Sequence, residues 1–163
     1  MSMLLGILAP TIPAQAESGM NPVVIAVMHS GSAVKGGSST GARVQTIYWK
    51  SFTWGYIHVG DCSRFNGTWT LYYDDSNQNT WAQWDAKVTS SDTNDTWKMY
   101  AHYKDANKAE LGMLLNQNNP GARNEFTKFM PDNRQQYRWL EYGGYFNPDH
   151  FWLINYMSLD NRC

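Results

Sequence analysis

Phe52-Thr53-Trp54-Gly55-Tyr56-Ile57 sets large apolar side chains against small or polar ones in alternation, the two-residue period of a strand that buries one face. Near-copies return as Asp95-Thr96-Trp97-Lys98-Met99-Tyr100 and Gln135-Gln136-Tyr137-Arg138-Trp139-Leu140, so the anchoring aromatics Trp54, Trp97 and Tyr137 stand 43 and 40 residues apart. A second apolar marker follows each anchor after 17 residues: Leu71, Leu114 and Ile154. Two markers that keep one phase predict a repeat of short strands, in which no unit buries its own apolar face and all share one core.

Working outward from the anchors, each unit reads as strand, polar turn, strand, loop and aromatic strand. The first has strand patterns at 23–27 and 44–49, with a turn at His29-Ser30-Gly31-Ser32 and a glycine-serine loop over 35–41. The second opens at 69–73, turns at 74–77, continues over 81–88 and loops through 90–94. The third opens at 111–115, turns at 116–121, continues over 126–130 and loops over 131–133. The three units span 22–150. Residues 151–163 restart the pattern and are expected to form an extra or closing strand, or an exposed edge built on Phe151, Trp152 and Ile154 that pairs with another chain.

A chain of 163 residues is one domain with a core large enough to need no staples. Charged residues make up 17% and the net charge is -1, which argues against a nucleic-acid footprint or a polybasic membrane surface. Residues 1–19 differ from the rest: 3–9 is apolar and Ala14-Gln15-Ala16 has the small-x-small form of a signal-peptidase site, so the expectation is a signal peptide or an N-terminal arm, and a secreted protein. No apolar run reaches the roughly 18 residues of a membrane span. Cys62 and Cys163 are either one disulfide in an oxidising compartment or two free thiols, and their spacing decides neither.

The three aromatic-anchored repeats resemble the ricin-B-type β-trefoil. His29-Ser30-Gly31 is similar to that family's Ser-Gly turn, Gly41-Ala42-Arg43-Val44-Gln45 to its Gly-Ala-x-Val-Gln strand, and Gln135-Gln136-Tyr137 to its closing Gln-x-aromatic. The chain departs from the pattern where the closing Gln is Phe52 in the first unit and Asp95 in the second, and where the sugar-binding Asp aligns with Lys35. The resemblance implies an all-β fold, a β-trefoil of three repeats of about 42 residues, and a lectin-like module that binds glycans or polysaccharide in shallow pockets.

A sugar offers an apolar C–H face that stacks on an aromatic ring and hydroxyls that need amide or carboxylate partners. The second unit holds that combination in Trp81, Gln83, Trp84, Asp85 and Asn94, the expected carbohydrate-binding residues. Strand alternation sends Trp81 and Trp84 to opposite faces, so at most one of them lines a given pocket. No His or Cys spacing of a metal site, nucleophile elbow or phosphate loop is present, and Asp74, Asp75 and Asp92 lie in turns rather than as a catalytic pair. The reading is therefore a non-catalytic domain without metal or cofactor. Its alternative is a protein-interaction or assembly domain on the same scaffold.

Overall fold

The computed structural model describes residues 21–25 and 45–163. The expected signal peptide or arm at 1–19, the turn at His29-Ser30-Gly31, the loop with Lys35 and the strand start at Gly41 lie outside the described residues.

The described chain is all-β, in two open antiparallel sheets. In chain order the strands are β1 (Asn21–Ile25), β2 (Gln45–Trp54), β3 (Ile57–Val59), β4 (Cys62–Asp74), β5 (Asn79–Ser90), β6 (Asp95–Lys104), β7 (Glu110–Met113), β8 (Leu115–Asn116), β9 (Phe126–Met130), β10 (Tyr137–Tyr145) and β11 (Tyr156–Arg162). The larger sheet has the order β1-β2-β4-β5-β10-β8, and β3 continues the line of β2 along the same edge of β4. In the smaller sheet β6 is central, with β11 on one edge and β7 and β9 sharing the other.

Period-2 patterning decides which face each strand buries. Phe52 and Trp54 from β2, Trp69 and Leu71 from β4, and Ala82, Trp84, Ala86 and Val88 from β5 point inward, and Trp97, Met99, Ala101 and Tyr103 from β6 meet them from the other sheet. The Trp69 and Phe126 rings, 4.9 Å apart and near perpendicular, join the two layers directly. Leu114 is the crossing point: its N–H donates to Ala101 in the smaller sheet, and the next residue already pairs with Tyr145 in the larger one. The Cys62–Cys163 disulfide closes the sandwich by tying the start of β4 to the residue after β11.

All six repeat markers face the core as expected: Trp54, Trp97, Leu71, Leu114 and Ile154 are buried and Tyr137 packs against them. The strand pairing, however, does not repeat with them. The Trp54 strand lies between β1 and β4, the Trp97 strand is the centre of the second sheet, and the Tyr137 strand lies between β5 and β8. A repeat in burial therefore coexists with two open sheets. The separate strands expected at 44–49 and at Trp54 are one continuous strand, β2.

The C-terminal stretch also differs from expectation. Phe151 and Ile154 are fully buried, Trp152 and Leu153 are about half exposed, and the strand that follows pairs along β6 from Tyr156↔Lys104 to Arg162↔Lys98. Phe151 and Ile154 are thus core residues, not an exposed edge. A short 3-10 turn, Pro148–His150, capped by the Asn147 side chain on the Asp149 N–H, places them there.

Candidate functional site

The outward positions of β4, β5 and β10 form one polar surface on the larger sheet, because alternation sends Thr68, Thr70 and Tyr72, Gln83, Asp85 and Lys87, and Arg138, Leu140 and Tyr142 away from the core. An open groove of about 630 Å³ runs across it. Its floor carries Thr68, Thr70, Gln83 and Asp85, and its aromatic walls are Phe65 and Tyr142. Tyr142 is 57% exposed, so its ring is free to be covered by a ligand.

A bulge creates the wall at Phe65. The β4–β5 register shifts between Arg64 and Gly67, which leaves Phe65 and Asn66 out of the ladder and lifts them over the groove end. Phe65 is supported by Tyr56 at 6.0 Å, and the Tyr56 hydroxyl contacts Ser63 Oγ at 3.0 Å. At the far side the β10–β5 register shifts between Glu141 and Gly144, and Glu141 Oε1 accepts from the N–H groups of Tyr142 and Gly143.

The floor is organised in cross-strand rows. Trp49, Tyr72 and Trp81 are register neighbours, and Tyr72 and Trp81 stack at 5.0 Å with planes 8° apart. The next row is Ser51, Thr70 and Gln83, in which the two hydroxyls lie 3.1 Å apart and the Tyr72 hydroxyl donates to Gln83 Oε1 at 3.3 Å. The third row is Thr53, Thr68, Asp85 and Leu140. Asp85 accepts a two-pronged hydrogen bond from Arg138, Nε at 3.1 Å and Nη2 at 2.8 Å. That hydrogen bond and the Arg138 charge hold the Asp85 carboxyl below its ordinary range, and the same bond and the Asp85 charge push the guanidinium up.

The five residues expected to bind sugar separate into three groups. Gln83 and Asp85 lie together in the groove. Trp81 shares their face one row away, with one ring face covered by Tyr72. Trp84 is on the opposite face, fully buried among Trp54, Trp69 and Trp139. Asn94 lies beyond the other end of β5 in the loop to β6, with left-handed backbone and its N–H donating to Pro131. The residues that sequence reasoning missed are Phe65, Asn66, Arg138 and Tyr142. Arg138 and Tyr142 were marked only by alternation along β10, whereas the bulge at Phe65 has no sequence signal that period-2 counting detects.

His58 contacts Ser63 Oγ at 3.0 Å, and the neighbouring Cys62 is in the disulfide. Asp74 accepts from the Ser76 N–H and hydroxyl within the β4–β5 turn, a structural task. No helix among the described residues is long and apolar enough to cross a membrane.

The family's sequence profile aligns with residues 68–163, more than half of the chain. The chain belongs to the DUF6294 family. DUF6294 is described as a family of unknown function. The DUF6294 match begins inside β4 and runs through β11, so it takes in Thr68, Gln83, Asp85, Arg138 and Tyr142 and stops short of the Phe65-Asn66 bulge. No curated protein and no solved structure matches the chain.

Proposed function

We propose that this domain is a non-catalytic glycan-binding module and that the groove on the outer face of the larger sheet is its site. The observation that carries the reading is the meeting of Tyr142 and Phe65 with Gln83, Asp85 and two threonine hydroxyls in one open groove. An aromatic ring takes the C–H face of a sugar, and the amide, carboxylate and hydroxyls take its hydroxyl groups. The low net charge favours a neutral polysaccharide over a strongly charged one. Secretion fits the same reading, since a disulfide persists in an oxidising compartment. The three-unit trefoil with one pocket per unit is not needed for it: a single sheet-face site suffices.

Affinity electrophoresis in gels of several polysaccharides, together with a glycan array, tests the proposal. Retention is expected for the wild type and is expected to fall at least about tenfold in affinity, or about 1.4 kcal/mol, in Gln83→Ala, Asp85→Ala and Tyr142→Ala, with circular dichroism unchanged. No retention in any gel and no array signal would sink it. The competing reading, a protein-interaction domain, draws on the exposed Trp152 and Leu153 beside Tyr48.

A further inference from the structure

Arg64 is 2% exposed, in the interior beneath the bulge. Its Nη2 donates to the Gly55 carbonyl at 3.4 Å, but its Nε and Nη1 are buried without a partner among the described residues. The guanidinium lies 5.6 Å from the centre of the Trp84 ring, and burial pulls its pKa down to about 10. The Trp54, Trp69 and Trp139 rings surround Trp84 at 6.1, 5.4 and 5.9 Å. The indole N–H groups of all four are buried and equally without an acceptor among the described residues. The contrast with other interior donors is sharp: Trp97 Nε1 reaches Asn161 Oδ1 at 3.1 Å, and Lys50 Nζ reaches the Ile154 carbonyl at 2.6 Å.

Arg64 and the four packed indoles therefore carry six buried donor nitrogens and one positive charge. The buried carboxylate among the described residues, Asp74, sits at the other end of β4 in the hairpin turn. Buried donors require acceptors and a buried charge requires a counter-charge. Water answers this poorly, because each water brings two protons of its own into a site made of donors and leaves the charge uncompensated. An anion accepts from every side and neutralises the guanidinium.

We propose that the core binds one small monovalent anion, held by Arg64 with the indole N–H groups of Trp54 and Trp84. Arg64 supplies the charge, and the aromatic walls exclude water and so strengthen the pairing. The site is separate from the groove and does not depend on glycan binding.

Thermal unfolding in sodium chloride and in sodium gluconate at equal ionic strength tests this, with Arg64→Met as the control. The wild type is expected to gain about 3 °C or more in Tm, saturably, with chloride over gluconate, and Arg64→Met to lose that difference. Crystals grown in bromide are expected to give an anomalous peak within hydrogen-bonding distance of the Arg64 guanidinium, a readout that stands even where the variant fails to fold. Equal Tm values in the two salts, or ordered water at Arg64 with no bromide peak, would overturn the proposal.

Discussion

Gly67 shows how one residue fixes the relation between core and surface. It follows the bulge, and the Trp84 ring occupies the place that a β-carbon on Gly67 would take. Gly67→Ala is expected to destabilise the fold by about 1–3 kcal/mol through overpacking, measured by urea unfolding; a change below about 0.5 kcal/mol would mean that the ring has room to move. Lys50 makes a second residue-scale test. It is buried, points inward from β2 beside the Phe151 ring, and donates to Ile154. Burial pulls its pKa from 10.5 to about 8. Between those values the unfolded chain still holds the proton that the folded chain has released, so stability is expected to rise with pH across that window, by at most about 1.4 kcal/mol per pH unit. Tyr103, raised by burial, contributes with the opposite sign above its ordinary value of 10.0, so the Lys50 effect is read below it. Urea midpoints at pH 8 and pH 9.5 check this; a Lys50→Met variant that keeps the same slope would assign it elsewhere.

At the scale of elements, the alternation in the sequence predicted inward and outward faces well, because the sheet pleat imposes a period that side-chain polarity must obey. That Trp81 and Trp84 lie on opposite faces follows from it; that Trp84 is the inward one, and Gln83 and Asp85 share the outer face with Trp81, is set by the packing of the second sheet. Partnership between strands was not legible in the same way. The markers Leu71, Leu114 and Ile154 are equally buried, yet one lies in a strand of the larger sheet, one at the crossing between sheets and one in the turn before β11. Burial is a local demand, whereas pairing is decided by which distant edge is free. Asn94 lies apart from Gln83 and Asp85 for a related reason: an amide near an aromatic anchor in sequence lies beyond the far end of the strand in space. The disulfide makes the pairing of the last element testable. It encloses a sequence separation of 101 residues and joins the end of β11 to β4. Its reduction, or Cys62→Ala with Cys163→Ala, is expected to cost about 2–5 kcal/mol, read as a lower urea midpoint. An unchanged midpoint would show that Phe151, Ile154 and the β6 ladder hold the tail unaided.

For the whole molecule, the two faces of the larger sheet differ in kind: the inner face is buried and apolar, and the outer face carries the open polar groove. Five of the eight tryptophans are committed to the interior, and four of those form one cluster around Trp84. That cluster has an optical consequence. Indoles packed this closely at angles of 38° to 77° couple electronically, so their circular dichroism is expected to split into a paired positive and negative band. The couplet belongs to the packed arrangement and vanishes when the rings separate, independently of the backbone signal. Emission divides along the same line, since the interior rings exchange excitation among themselves while Trp81 and Trp152 look outward.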